Sequence, residues 1–190
     1  DRFPRVQMWR ALYLTVEGRL PEAAELLQRL EVNLASGLPM ASADGQKLAE
    51  WRYLLTHRRM VLAVFRDDLT ELERLCDALQ HGPPAADRYV QGLTQLSLLV
   101  ARRDRYRLGE CEALQARARA LMQGHEHRAA LVWHSCTVGP FLMQRGRVDE
   151  ALALYGQAVD DARDGAFGDR GEDLMSMALA MQAEAWLERL

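Results

Sequence analysis

A tight glycine-arginine turn between two apolar stretches occurs twice in this chain almost intact. The copies are Glu17-Gly-Arg-Leu-Pro-Glu-Ala-Ala-Glu-Leu-Leu27 and Arg145-Gly-Arg-Val-Asp-Glu-Ala-Leu-Ala-Leu-Tyr155. Two weaker copies lie between them: Arg66-Asp-Asp-Leu-Thr-Glu-Leu-Glu-Arg-Leu75 and Arg103-Asp-Arg-Tyr-Arg-Leu-Gly-Glu-Cys-Glu-Ala-Leu114. Aligned on the first apolar residue after each turn, they begin at Leu20, Leu69, Tyr106 and Val148. The spacings are 49, 37 and 42 residues (69 − 20, 106 − 69, 148 − 106). A loose period near 40 residues describes helical hairpins joined by loops of unequal length.

The residue types explain the turn. Gly18 and Gly146 can take φ > 0 and so end the preceding helix. Pro21 falls in the first turn of the next helix, where a missing N–H costs nothing. Glu22 and Glu150 sit at the positive end of the helix dipole, and Ala23 and Ala151 let two helices approach closely.

Apolar spacing places first helices near 4–17, 46–65, 86–102, 126–144 and 171–189, and second helices near 20–35, 69–80, 105–122 and 148–163. Breaks fall at Ser36-Gly-Leu-Pro39, Ala43-Asp-Gly45, Gly82-Pro-Pro84, Gly124 and Asp164-Gly-Ala-Phe-Gly168. No stretch alternates with a strand's period of two. Second helices carry one apolar stripe, as with Leu20, Ala23, Leu27, Leu30 and Leu34. First helices are apolar almost all round, as over Trp51–Phe65 and Leu131–Met143, which predicts an inner layer lining a concave side and an outer, solvated one. The expected fold is all-α: a right-handed superhelical array of about four and a half helix-turn-helix repeats. It forms a single domain over 1–190. The last helix, with Leu174, Met175, Met177, Leu179, Met181, Trp186 and Leu187, has no outer helix after it. It is therefore exposed, self-associated, or cut from something longer, and the last is favoured.

Composition narrows the function. With 24 basic and 27 acidic residues and a net charge of −3, nothing draws the chain to nucleic acid or anionic lipid. Lys47 is the only lysine. Three cysteines, Cys76, Cys111 and Cys136, form no CxxC pair, which suits a reducing cytoplasm. No apolar run reaches the roughly 18 residues that span a bilayer.

The Gly-Arg-Leu-Pro-Glu-Ala and Gly-Arg-Val-Asp-Glu-Ala turns, on a period near 40, resemble the tetratricopeptide-like (TPR-like) sensor region of large MalT-like, LuxR-family transcriptional regulators. The resemblance covers the whole chain in architecture and the first and fourth repeats in motif. It implies a multidomain regulator with a nucleotide-binding ATPase module before the repeats and a DNA-binding helix-turn-helix after them. The repeat region would then bind a small-molecule inducer or a regulatory protein, and self-association could run through the C-terminal helix. Neither a GxxxxGK[ST] loop nor a basic recognition helix occurs in these residues, so ATP and DNA binding are not assigned to them.

Chemical constellations are sparse. Gly124-His-Glu-His127 with His134 and Cys136 is the one His/Cys cluster, but its spacing departs from the i, i+4 pair of helical zinc sites. His134, Ser135 and Cys136 are sequence neighbours and so point about 100° apart on a helix. No catalytic residue, metal or cofactor is assigned, and the expectation is a non-enzyme. Arg102-Arg103-Asp104-Arg105 with Arg107 reads as a solvated corner. The candidate groove is built from inner-helix aromatics and polar neighbours: Trp9, Tyr13, Trp51, Arg52, Tyr53, Trp133, His134 and Pro140. Pro140 belongs there because it removes one helical hydrogen bond and frees the carbonyl of Cys136. The expected role is a ligand- or partner-binding sensor domain, with a generic peptide-binding TPR-like adaptor as the alternative.

Overall fold

The computed structural model describes residues 4–36, 45–82, 88–122, 128–164 and 170–189. Among them there is no strand, and the helices are α1 (Pro4–Val16), α2 (Leu20–Ala35), α3 (Gly45–Phe65), α4 (Leu69–Gln80), α5 (Arg88–Asp104), α6 (Leu108–Met122), α7 (Arg128–Gln144), α8 (Val148–Asp164) and α9 (Arg170–Glu188). Most of the expected Gly/Pro breaks, and the Gly124-His-Glu-His127 cluster, lie outside the described residues. None of the described helices is long and apolar enough to cross a membrane.

The four turns after α1, α3, α5 and α7 share one geometry. Gly18, Asp67, Tyr106 and Gly146 all have positive φ, at 74°, 55°, 58° and 71°. In each case that residue's N–H reaches back three residues to a carbonyl: Gly18 to Thr15, Asp67 to Val64, Tyr106 to Arg103 and Gly146 to Met143. The next N–H reaches back five: Arg19 to Leu14, Asp68 to Ala63, Arg107 to Arg102 and Arg147 to Leu142, all at 2.8–3.1 Å. This pair of bonds is the Schellman arrangement, which satisfies carbonyls left open at a helix end.

The third turn corrects the sequence register. Tyr106 is not the first apolar residue of the second helix but the left-handed residue of the turn, and α6 begins at Leu108. The equivalent helix starts are thus Leu20, Leu69, Leu108 and Val148. In that register a glutamate follows two residues later every time, as Glu22, Glu71, Glu110 and Glu150. Three of the four pair with the arginine before the helix: Arg19–Glu22, Arg107–Glu110 and Arg147–Glu150. These pairs are exposed and contribute little individually. At the second turn Asp68 replaces the arginine and accepts the Glu71 N–H at 3.0 Å, a conventional N-cap. One residue further on, Ala23, Leu72, Cys111 and Ala151 are all fully buried.

The chain forms two compact units, Asp1–Ala101 and Arg102–Leu190. Within the first, α1 packs on α2 and α3, α2 packs on α3, and α3 packs on α4. One core joins Met8, Ala11 and Leu14 to Leu26, Leu27, Leu30, Leu55 and Leu62, and another joins Met60 and Ala63 to Leu72, Leu75, Cys76, Leu79 and Ala101. Within the second, α7 packs on α8 and α9, α8 packs on α9, and α6 touches α7. Its core brings Val132 and Cys136 against Ala158, Val159, Ala162 and Ala178.

The two helix sets differ in burial much as the sequence suggests. α2, α4 and α6 each bury a single stripe, while α5 and α7 bury several sides, including Thr94, Gln95, Ser97, Ser135 and Thr137. α1 departs from this. It buries Met8, Ala11, Leu14 and Thr15 and leaves Val6, Trp9, Tyr13 and Val16 exposed on the opposite side.

A non-glycine residue in the left-handed region costs roughly 1 kcal/mol that glycine does not. Tyr106→Gly and Asp67→Gly should therefore each raise unfolding stability by about that much, while Gly18→Ala and Gly146→Ala should lower it similarly. Urea midpoints of the four variants test this, and a uniform sign across all four would contradict the shared turn. Gly139 is tight for another reason. A Cβ there would run into the ring of buried Tyr155. Gly139→Ala should cost about 1–3 kcal/mol through overpacking, read in the same titration.

Candidate functional site

The eight sequence-selected groove residues fall into separate places. Trp9 and Tyr13 stand exposed on α1. Trp51, half-buried, packs against the core beneath α1 and α2. Arg52 and Tyr53 line a cleft of about 320 Å³ between α3 and α4, floored by Leu79 and Gly82. Trp133 is half-buried in α7, and Pro140, also half-buried, lies inside the same helix, which continues through it. His134 lines a cleft of about 390 Å³ between α6, α7 and α8.

The residue that sequence reasoning missed is Arg58. It is only 7% exposed, lies in the middle of α3, and has its guanidinium carbon 5.0 Å from the centroid of the Trp9 ring. That distance is a cation–π contact between α1 and α3. Tyr89 of α5 is close enough to act on the same charge. Three first helices thus contribute to one locus. Burial lowers the Arg58 pKa, but an arginine stays charged in proteins. No carboxylate of the described residues pairs with it, and its Nε–H is buried without a hydrogen-bond partner among them.

His57, next to it, is 1% exposed. Its Nδ1 lies 2.9 Å from the Arg58 Nη1. Arginine can only donate, so Nδ1 accepts and the imidazole proton sits on Nε2. That Nε2–H is also buried and unpartnered among the described residues. Burial, and then the charge of Arg58, push the His57 pKa down to about 3. The ring is therefore neutral at any physiological pH.

The cleft at His134 differs. Its walls are mainly apolar, from Met122, Leu131 and Leu154, with Gln115, Arg119, Gln157 and Asp161 at polar positions. The His134 pKa is lowered by burial first and by Arg119 second, and its Nε2 has no partner among the described residues. Ser135 and Cys136 are buried beside it in sequence. Burial pushes the Cys136 thiol up to about 11, so it stays protonated at neutral pH and is a poor nucleophile. Cys76 and Cys111 instead donate their thiols to the carbonyls of Thr94 and Arg107, each at 3.7 Å. No group of three or more His, Cys, Asp or Glu side chains among the described residues is arranged to hold a metal ion.

No family model matches the chain, and neither does any curated protein or solved structure.

The buried imidazole makes a pH prediction. His57 is neutral in the folded state down to about pH 3, whereas in the unfolded chain it takes a proton below its ordinary value of 6.5. Between those limits the unfolded state binds more protons, so stability falls as pH falls. From pH 7 to pH 5 the loss from His57 should approach about 2 kcal/mol. His57→Gln, which keeps an acceptor for Arg58, should remove that part of the slope. Urea titrations at the two pH values measure it, and an equal loss in the variant would refute the assignment.

Proposed function

We propose that this chain is a non-catalytic, ligand- or partner-binding sensor domain of TPR-like repeats from a bacterial, cytoplasmic transcriptional regulator. The observation that carries the reading is the aromatic face of α1. Trp9 is 56% exposed, and Tyr13 stands exposed one turn on. Burying a large aromatic costs little conformational entropy for the area gained, so exposed rings on a rigid helix make effective contact points. Val6 and Val16 extend the same face at helical spacing.

Two further facts support a repeat array. The four turns share their φ values and their backbone bonds. In each unit one first helix, α1 or α7, touches both its own second helix and the next first helix, the order expected of stacked hairpins. In such a stack each hairpin packs on its neighbours, so a ligand that favours one spacing of the hairpins shifts the population toward that arrangement. In the regulator reading, that shift passes to an ATPase module on one side and a DNA-binding module on the other. The net charge of −3 gives this segment itself no attraction for DNA. The second reading, a peptide-binding adaptor without those modules, rests on the same face.

A thermal-shift screen of sugars, amino acids and organic acids tests the receptor role. A ligand at about 100 times its Kd stabilises the folded state by roughly 2.7 kcal/mol. The Trp9→Ala/Tyr13→Ala double variant should lose that response, read as the shift relative to its own ligand-free melting temperature. A response that survives in the variant would move the site elsewhere. The regulator and the adaptor are separated by the gene itself: a phosphate loop upstream and a helix-turn-helix downstream are expected for the first and absent for the second.

A further inference from the structure

We infer that Arg58 is the anchor of a binding site for a small organic carboxylate with an apolar body, the carboxylate seated on its guanidinium and the apolar part lying along Trp9 and Tyr13. The inference rests on the reading of the α1 face as a receptor surface and gives that surface a ligand class.

A cation this buried is ordinarily matched by an anion, because leaving it unmatched is costly. Among the described residues that match is absent. Arg58 makes one hydrogen bond, to the Nδ1 of His57, and one ring contact, to Trp9. The contrast with Arg59 is direct: that neighbour reaches Glu31 at 2.8 Å and Glu71 at 3.2 Å. The side chains of 58 and 59 diverge by about 100° around α3, so one meets acids and the other meets a tryptophan. What is missing around Arg58 also has a definite polarity. The orphan atoms are two N–H groups, Arg58 Nε and His57 Nε2, and both call for an acceptor. An acceptor beside a guanidinium is most stable as an anion.

The surroundings choose among anions. The planar fork of a single arginine matches the two oxygens of one carboxylate. A phosphate dianion would want a second cation, whereas the Arg58 guanidinium meets the Trp9 ring and the neutral His57. The adjoining surface is apolar, with Val6, Trp9, Tyr13 and Val16 spaced at i, i+3, i+7 and i+10 along α1. An acid with an aromatic or branched aliphatic body satisfies both parts, whereas acetate satisfies only one.

Benzoate is the probe, titrated calorimetrically into the full 190-residue chain, with benzyl alcohol, acetate and inorganic phosphate as controls. Benzoate should bind, and each control should bind more weakly. Arg58→Met, which keeps the volume and removes the charge, should weaken benzoate by more than about thirtyfold. Free of ligand, the same variant should melt above the wild type, because a well-packed apolar side chain replaces an unmatched charge. A merely structural arginine would give the opposite shift. Arg58→Lys should bind with intermediate affinity, since the charge remains and the fork does not. Benzoate binding that is absent from the wild type, or unchanged by Arg58→Met, overturns the inference. So does phosphate or benzyl alcohol binding as tightly as benzoate. If Trp9→Ala/Tyr13→Ala abolishes benzoate binding while Arg58→Met spares it, the receptor face stands and the carboxylate anchor alone fails.

Discussion

Each of the four described tight turns between helices depends on one residue being held in the left-handed region. Only there can two successive N–H groups turn back to the open carbonyls of the helix just ended. Glycine accepts that conformation freely at Gly18 and Gly146, while Asp67 and Tyr106 accept it under strain. Tyr106 is 82% exposed, so its ring gains no burial in exchange. The two backbone bonds and the packing of the following helix hold it there. The next helix starts two residues after each left-handed position, and its fourth residue is fully buried, as Ala23, Leu72, Cys111 and Ala151. That buried residue belongs to the face that the second helix turns inward. The local turn and the tertiary contact are thus fixed by residues a few positions apart.

The described arginines include two contrasting kinds. One is exposed and paired within a turn of helix, as at Arg19, Arg74, Arg107 and Arg147. Such pairs hold the carboxylates of Glu22, Glu71 and Glu150 below their ordinary range but contribute little to stability. Arg58 is of the other kind, enclosed and, among the described residues, met by the Trp9 ring and the His57 Nδ1 rather than by an acid. The neutral His57 adds a second buried donor beside it. A fold organised only for stability would fill that position with an apolar side chain, which is why the position points to a ligand.

The aromatics selected from the sequence illustrate how composition and placement separate. Trp9 and Trp51 look alike as tryptophans in first helices. Trp9 stands out on α1, while Trp51 turns toward the core between α1, α2 and α3. Arg52 and Tyr53 share a cleft with Gly82. Extended chain could hold Tyr53 and Gly82 roughly 100 Å apart, and only packing brings them near. His134 reaches its cleft because α6 and α8 close around α7, not through any motif of its own.

Helix positions are legible because apolar spacing at 3.6 residues and glycine at helix ends are local properties, and the observed bounds of most helices match that spacing within a few residues. The third turn reads two residues early in the sequence because its left-handed residue is a tyrosine, which no propensity marks for that conformation. The chain alone therefore determined its helices and which set is the more apolar. Tertiary structure decided that Arg58 and not Arg59 is buried without an acid among the described residues, and that Trp9 covers it. The physical reason is that burial and charge pairing depend on which helices come together, and on a helix two adjacent residues with the same side chain face different neighbours.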